Sequence, residues 1–250
     1  MTALEPGSFY AELTPGERRD LESRGRYRDL ERGEVLFREG EESTWVAVLL
    51  TGRVKAYSDR LDGGEALLDV RGPGALLGEV AAIDGLPRSA TVATLEPARV
   101  LAITAEEFMS FLGAHGRVSV LIMKVLCRRW READRRRLEF GMFDATGRVA
   151  QRLVELAERF GVPYEQGRGR AATRPNGPTR PPRPGDTKPD DGNSVRITLH
   201  LTQEELAGWV GASREAVSKA LGTLRRHGWI ETGRRRVIVH DLQALRRHAR

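Results

Sequence analysis

The sequence is poor in cysteine and has no long apolar run. Its one cysteine, Cys127, excludes an internal disulfide and cannot supply the four thiolates of a typical iron–sulfur cluster. No stretch approaches the roughly 18 to 20 apolar residues of a membrane span. Residues 1–21 lack the basic and apolar regions of a secretory signal peptide. These absences predict a cytoplasmic protein that does not cross a membrane and does not sense redox state through a cluster.

Signatures of catalysis and of metal binding are also missing. The chain has no phosphate-binding loop of the Walker type and no nucleophile with a recognisable base. Its histidines stand in no metal-ligand spacing. They are His115, His200, His227, His240 and His248. We therefore expect no enzymatic activity and no metal cofactor.

Charge is distributed unevenly along the 250 residues. Residues 1–162 carry 24 Lys and Arg against 26 Asp and Glu, whereas residues 195–250 carry 11 against 5. A basic segment joined to a slightly acidic remainder is typical of a protein that contacts the phosphate backbone of nucleic acid. The alternative is a solvated basic surface. The length and a hydrophobic content of 40% suit about two domains.

Short apolar runs alternate with glycine-bearing turns between Gly33 and Ile103. The runs are EVLF, WVAVLL, VKAY, ALLDV, TVAT and RVLAI. Their spacing predicts many short antiparallel strands. We expect a small, jelly-roll-like β-roll over residues 1–112, within a chain of the α+β class.

The stretch from Thr104 to Phe143 has no proline and a helical repeat. Seven positions follow a 4,3 spacing, namely Ser119, Met123, Leu126, Trp130, Ala133, Arg137 and Phe140. A period of 3.5 rather than 3.6, with basic flanks, favours a two-stranded coiled coil. The alternative is a helix that packs on its own β-roll. We predict a long dimerisation helix over residues 113–143 and hence a homodimer.

A further helix and a proline-rich segment follow. The helix is predicted from about Asp144, with Val149 and Leu156 on its apolar face and Gly161 at its C-terminal cap. Residues 163–194 hold seven of the 12 prolines and no Leu, Ile, Val, Phe, Met or Trp. Because such a segment cannot bury enough apolar surface to offset its ordering entropy, we expect disorder there. A surface insertion in a hairpin-like loop is the favoured role, and a binding arm is the alternative.

Residues 201–241 have the pattern of two helices joined by a tight turn and followed by a two-stranded wing. Thr202 and Glu205 match a capping box at the start of the first helix. Gly211 supplies the turn, and Ser213 caps the second helix. These features predict a winged helix-turn-helix that binds double-stranded DNA and forms part of a domain over residues 144–250.

The second of these helices carries the candidate base-reading residues. Its apolar face leaves polar side chains exposed near its N-terminus, where they would face a major groove. Arginine pairs with guanine, glutamate accepts from cytosine, and lysine binds phosphate or guanine. The predicted DNA-binding residues are Thr202, Gln203, Ser213, Arg214, Glu215, Ser218, Lys219 and Arg235. The alternative is an ordinary helical hairpin with surface charges.

One segment, GEVAAIDGLPRSATV, places a single glutamate and a single arginine nine positions apart among mostly small and apolar residues. Together with FDATGRVAQRL and TQEELAGWVGASREAVSKAL, it resembles motifs of the CRP/FNR family of bacterial transcription regulators. The resemblance covers nearly the whole chain outside the proline-rich segment. It implies a cyclic-nucleotide-binding β-roll, a dimer helix and a winged helix-turn-helix, with RNA polymerase as a further partner.

The resemblance also implies site residues for a cyclic nucleotide effector. The residue like Glu79 holds the ribose 2′-OH, and the residue like Arg88 pairs with the cyclic phosphate. A guanidinium offers several fixed donors to such an anion, while Gly78 leaves room for the backbone and Ser89 adds a hydroxyl. The alternative for this segment is an internal Glu79–Arg88 ion pair that closes the loop.

The long helix departs from the pattern of the cyclic AMP-binding members of the family. Ala133 and Asp134 stand where those members place a threonine followed by a serine or asparagine over adenine. An ionised aspartate only accepts hydrogen bonds, so it matches guanine better than adenine. Arg131 and Asp134 also have the RxxD spacing of a motif used for cyclic di-GMP. Cyclic AMP is the leading candidate, with cyclic GMP and cyclic di-GMP as rivals.

The sequence is also compatible with two other kinds of regulator. One is a member of the same family that acts without a nucleotide. The other is a nucleotide-binding regulatory subunit that has no DNA activity.

Overall fold

The computed structural model describes residues 4–59, 64–164, 194–199, 201–233 and 236–249, and the backbone alone of Phe140. The chain divides into two compact units, Met1–Gly141 and Met142–Arg250. Each unit buries its own set of apolar side chains.

Two four-stranded antiparallel sheets form the β-roll of the first unit. The strands described there are β1 (Arg26–Leu30), β2 (Val35–Phe37), β3 (Trp45–Thr51), β4 (Val54–Asp59), β5 (Glu65–Arg71), β6 (Leu76–Leu77), β7 (Thr91–Thr94) and β8 (Ala98–Thr104). One sheet has the order β1-β8-β3-β6, and the other has the order β2-β7-β4-β5. The expected β-roll is confirmed, since each apolar run that predicted a strand lies in one.

Strand β3 shows why these runs are almost continuously apolar. Ala47 and Leu49 point into the core between the two sheets. Val46 and Val48 point the other way, into a second apolar cluster that includes helical residues. All four side chains are fully buried. A strand covered on both faces has no solvent side that would favour polar residues.

Helices cover one side of the roll. They are α1 (Pro15–Ser23), α2 (Glu79–Asp84), α3 (Ala105–Ala114) and α4 (Gly116–Met142). The long helix therefore begins at Gly116 rather than at residue 113, because the chain bends by 113° between α3 and α4. His115 lies at this bend, and its Nε2 is 2.7 Å from Asp20 Oδ2 on α1.

No single described helix is both long and apolar enough to cross a membrane. The bent pair α3 and α4 meets the length and composition criteria only when both helices are counted together.

The second unit combines helices with a small antiparallel sheet. Its described elements are α5 (Ala145–Phe160), β9 (Gly161–Pro163), β10 (Val195–Ile197), α6 (Gln203–Val210), α7 (Arg214–Arg226), β11 (Ile230–Gly233), β12 (Arg236–Val239) and α8 (Leu242–His248). The sheet order is β11-β12-β10-β9. The predicted helix-turn-helix and wing are confirmed, but the wing belongs to a sheet of four strands rather than two.

The ends of the proline-rich segment pair with each other. Pro163 lies in β9 opposite Val195 of β10, and Tyr164 N–H donates to Ser194 O at 2.8 Å. The predicted start of the disordered segment, residue 163 of 163–194, is therefore too early, because Pro163 lies in a strand at the edge of the sheet. Residues 165–193 lie outside the described residues.

Gly161 ends α5 as predicted, but not in a left-handed conformation. Its φ of −85° and ψ of 143° are extended. A Cβ at this position would lie 2.1 Å from Ala157 O and 2.3 Å from Val195 Cγ1. Glycine is needed there because the helix end and strand β10 approach closely.

Candidate functional site

An open cleft lies in the first unit beside α2. Four residues predicted to bind a nucleotide line it, namely Gly78, Glu79, Arg88 and Ser89. Phe37 and Arg71 line it as well. The fold thus brings together the segment around residues 78–89 with strands β2 and β5.

Gly78 has a local reason for being glycine. Its φ of 79° is left-handed, and it precedes the first residue of α2. A Cβ here would lie 2.4 Å from Arg88 Nη1 and 3.3 Å from the Phe37 ring. Any side chain would therefore displace the Arg88 guanidinium, in addition to straining the backbone.

Arg88 is a buried cation held by backbone carbonyls. Its Nη1 donates to Gly78 O at 2.9 Å, its Nη2 donates to Trp45 O, and its guanidinium lies 4.2 Å from the centroid of the Phe37 ring. The side chain is 3% exposed, and Nε makes no hydrogen bond within the described part of the chain. Burial lowers the pKa of Arg88, and Glu41 and Glu79 partly oppose that change. The guanidinium stays protonated, since the arginine side chain is not deprotonated in proteins.

Glu79 is partnered by other arginines. Arg129 on α4 donates to Glu79 Oε1, and Arg71 Nη1 lies 3.9 Å from the same oxygen. Within the described residues, no ion pair within 4.0 Å joins Glu79 to Arg88. The alternative of a loop closed by a Glu79–Arg88 pair is therefore wrong, because both side chains are held by other groups.

Arg129 links the long helix to the cleft. It also donates from Nη2 to Leu76 O at 3.1 Å. Burial lowers the pKa of Arg129, and the nearby Glu79 carboxylate opposes this by favouring the charged form. Helix α4 is therefore attached to the edge of the cleft through a largely buried cation.

The two candidate base contacts on α4 are not part of this cleft. Ala133 and Asp134 are exposed and are absent from its lining. The Asp134 carboxylate lies 3.9 Å from Arg137 on the same helix. The roles of both residues toward a nucleotide stay predictions.

Three residues near the cleft were missed from the sequence. Phe37 lies under Arg88, while Arg71 and Arg129 approach Glu79. They stand 8 to 51 positions from the residues they contact, on strands β2 and β5 and on helix α4. No local motif marks them, because only the tertiary fold brings them together.

The helix-turn-helix has the predicted capping. Thr202 Oγ1 accepts from Glu205 N–H at 3.1 Å, and the Glu205 carboxylate accepts from Thr202 N–H at 2.8 Å. Gly211 has a left-handed φ of 63° after α6. Ser213 Oγ accepts from Ala216 N–H at 3.2 Å and begins α7. Each helix start and the turn between them are therefore fixed by short-range hydrogen bonds.

The two faces of α7 separate as expected. Val217, Leu221 and Leu224 are buried. The candidate DNA-binding side chains on α7 are exposed, namely Arg214, Glu215, Ser218 and Lys219, and so is the capping residue Ser213. At the start of α6, Gln203 and the capping residue Thr202 are also exposed. Arg235 lies outside the described residues. The exposed candidates on α7 all lie in its N-terminal half.

Arg148 fixes the start of α5 to the helix-turn-helix. Its Nε donates to Val210 O at 3.0 Å, and its Nη1 donates to Phe143 O at 2.7 Å. These bonds join the segment just before α5 to the C-terminal end of α6.

The described residues contain no group of three or more His, Cys, Asp or Glu side chains suited to hold a metal ion.

Comparison with protein-family models defines the class of the protein. Residues 27–115 match the model described as a cyclic nucleotide-binding domain, and residues 147–248 match the Crp-like helix-turn-helix domain. The chain thus combines a cyclic-nucleotide-binding domain with a DNA-binding helix-turn-helix, the arrangement of a transcription regulator.

Similarity to individual proteins extends over most of the chain. The chain is 32% identical over 222 residues to the CRP-like cAMP-activated global transcriptional regulator of Mycobacterium tuberculosis, covering 89% of this chain and 87% of that protein. It is 26% identical to the cyclic AMP receptor protein of Thermus thermophilus, with 85% and 83% covered. The chain belongs to the CRP/FNR family of transcription regulators.

A solved structure shows the same fold. The c-di-GMP responsive global regulator CLP of Xanthomonas campestris is similar with a TM-score of 0.69 and 19% identity. The similarity covers 91% of this chain and 99% of that one. At this identity the similarity concerns the fold alone.

Proposed function

We propose that this chain is a cytoplasmic, non-enzymatic homodimer whose binding to palindromic promoter DNA is controlled by a cyclic nucleotide in the cleft. The observation that carries the proposal is the buried Arg88 guanidinium, whose Nε has no hydrogen-bond acceptor among the residues that the structure describes. A buried donor without an acceptor costs free energy. A cyclic phosphate would supply that acceptor and a compensating negative charge.

The remaining contacts to the nucleotide follow from the lining of the cleft. Glu79 would accept a hydrogen bond from the ribose 2′-OH, and the exposed Ser89 hydroxyl would donate to the phosphate. Gly78 keeps the cleft open beside Arg88, because a Cβ there would reach Arg88 Nη1. These four residues form the proposed phosphate and ribose site.

The base of the effector is a separate question. Cyclic AMP is our first candidate, because the relatives from Mycobacterium tuberculosis and Thermus thermophilus are named for it. Cyclic GMP is the alternative that suits the acceptor Asp134, and cyclic di-GMP is the alternative that suits Arg131 and Asp134. Ala133 has no polar group to offer any of these bases.

The proposed DNA contacts divide by chemistry. Arg214 and Glu215 are adjacent and exposed at the start of α7, where they would read a guanine and a neighbouring cytosine on the opposite strand. Ser218 and Lys219 lie one turn further on. Thr202, Gln203, Ser213 and Arg235 would contact phosphates and fix the position of the helix on the duplex.

The dimer proposal rests on the apolar face of α4. Met123, Trp130, Leu138 and Met142 are between 55% and 71% exposed in the single chain. A second copy of the same helix would cover these side chains, as the heptad spacing of Met123 and Trp130 predicts. A dimer would also present two copies of α7 to two half-sites. Bound near a promoter, it would recruit or block RNA polymerase.

Calorimetry on the purified chain tests the nucleotide proposal. Cyclic AMP, cyclic GMP and cyclic di-GMP are titrated separately, with linear 5′-AMP as the control that has the same base as cyclic AMP but no cyclic phosphate. We expect saturable binding of at least one cyclic nucleotide and much weaker binding of 5′-AMP. Absence of binding by all three cyclic nucleotides would contradict the proposal and favour a family member that acts without a nucleotide.

A further inference from the structure

A chain of charged contacts runs from the cleft to a second point on the long helix. Glu79 accepts from Arg129 and lies 3.9 Å from Arg71 Nη1. Arg71 Nε in turn donates to Asp69 Oδ2 at 3.2 Å. Asp69 Oδ1 lies 3.7 Å from Arg136 Nη2 on α4. Five side chains of alternating charge thus lead from α4 through the cleft and strand β5 back to α4.

The two contacts on α4 lie on the same side of the helix. Arg129 and Arg136 are seven residues apart, which is about two helical turns. Arg136 Nη1 also donates to Leu68 O on β5. Arg136 therefore attaches α4 to strand β5, and Arg129 attaches it to Glu79.

Burial makes these contacts stronger than surface ion pairs. The Glu79 side chain is 3% exposed, Asp69 and Arg71 are each 18% exposed, and Arg136 is 20% exposed. Salt and water screen such groups less than they screen exposed charges. A change in charge at one end of the set would therefore be felt by its neighbours.

We propose that Asp69 and Arg71 are positioning residues that couple occupancy of the cleft to the C-terminal turns of α4. The inference rests on the proposed function, since it requires a ligand in the cleft. Arg71 lines the cleft and is shared by Glu79 and Asp69, whereas Asp69 does not line the cleft and contacts α4 through Arg136. Asp69 would therefore transmit a change in the cleft to α4 without itself binding the ligand.

The physical basis is competition for the donors of Arg71. A bound cyclic phosphate adds a negative charge near Arg71, and a ribose hydroxyl on Glu79 adds a donor to the carboxylate that Arg71 approaches. Both changes alter how strongly Arg71 interacts with Asp69, and Asp69 then holds Arg136 more or less tightly. Coupling follows because the ligand interacts differently with the two arrangements of these side chains.

Hydrogen exchange of the α4 backbone in the full chain tests this inference. Exchange of the amides of residues 133–142 is measured with and without saturating cyclic AMP or cyclic GMP, and binding of each nucleotide is measured by calorimetry. Asp69→Asn and Arg136→Gln change the link from its two sides. Glu65→Gln is the matched control, because Glu65 lies on the same strand and bonds Lys55 instead.

We expect nucleotide to change the exchange of these amides in the wild-type chain by at least about fivefold, within the usual range of coupling. Asp69→Asn and Arg136→Gln should bind nucleotide with affinity close to wild type but lose most of that change. The double variant Asp69→Asn/Arg136→Gln should lose no more of the exchange response than either single variant. Glu65→Gln should show the exchange response of the wild type.

Three results would overturn the inference. The first is a full exchange response in Asp69→Asn, and the second is an equal loss of response in Glu65→Gln. The third is a wild-type chain that binds nucleotide without any response at residues 133–142. Failure of the wild-type chain to bind either nucleotide is a different result, because it overturns the proposed control by these nucleotides as well.

Discussion

Arg129 of the long helix donates a hydrogen bond to the Glu79 carboxylate at the edge of the cleft. The Glu79 side chain is 3% exposed and that of Arg129 is 22% exposed. A carboxylate this buried needs a partner to remain charged. The candidate ribose-binding residue is thus also the point at which α4 is held to the β-roll.

Removing Arg129 should lower the free energy of unfolding, because the buried Glu79 carboxylate loses its hydrogen-bonded partner. Among the described residues, Arg129→Met leaves Arg71, at 3.9 Å, as the ion-pair partner of the buried carboxylate, and breaking a buried pair typically costs about 3 to 5 kcal/mol. The double variant Glu79→Gln/Arg129→Met should regain part of this free energy of unfolding, because it removes the unpaired charge. Urea denaturation of the wild type, both single variants and the double variant measures the coupling. Strictly additive losses would contradict the pairing.

Arg88→Ala should remove the partner of the cyclic phosphate. We expect nucleotide affinity to fall by about 1.5 to 3 kcal/mol, the range for hydrogen bonds to a charged group. Folding stability should fall as well, because Gly78 O and Trp45 O lose their donor. Calorimetry below the unfolding transition measures the affinity. Arg99→Ala is the matched control, since Arg99 is 54% exposed and pairs with Asp29; wild-type affinity in Arg88→Ala would rule out this phosphate site.

The ion pair between Arg117 and Glu17 should make stability depend on pH. Hydrogen bonds from Arg117 lower the pKa of Glu17 from 4.5 to about 2. Because the folded pKa is lower than the unfolded one, this stabilisation is complete above the unfolded pKa and is lost as pH falls toward the folded pKa.

Thermal unfolding of wild type and Glu17→Gln from about pH 6.5 to about pH 3.5 tests that sign. The difference in Tm should be largest at the upper end of this range and should shrink with acid. Arg117→Gln should show the same trend. A difference that grew as the pH fell would show that Glu17 is not held in its charged form by the fold.

Arg214→Ala should change sequence preference, whereas Arg226→Ala should not. Both arginines are exposed on α7 and carry the same charge, but they lie at opposite ends of the helix. Losing a base contact costs about 1 to 3 kcal/mol per half-site and relaxes one guanine position. Selection from random DNA with each variant measures the preferred motif. If Arg214→Ala selected the wild-type motif at the same stringency, direct readout by the start of α7 would be wrong.

The fold could be predicted from sequence wherever burial or capping has a local pattern. The apolar runs of the β-roll and the Thr202–Glu205 capping box both have one. Strand β1 was missed because its residues are largely charged and only Leu30 is buried. Helix α1 was also missed, although Thr14 and Glu17 form a capping box with proline at the first helical position. That signal was present in the sequence.

The site could be predicted only in part. Gly78, Glu79, Arg88 and Ser89 belong to one continuous motif, and the fold brings them together at the cleft. Arg71 and Arg129 come from other elements, so sequence spacing does not reveal that they meet Glu79. The side-chain partner of Glu79 was therefore expected to be a ligand or Arg88, and the structure shows Arg129 instead.

The most direct test of the account is the affinity of the chain for its selected DNA duplex, measured by fluorescence anisotropy with and without a saturating cyclic nucleotide. The account predicts that the nucleotide changes the DNA affinity of the wild-type chain by at least about fivefold and leaves that of Arg88→Ala unchanged. Equal DNA affinity of the wild-type chain with and without a bound nucleotide would contradict it.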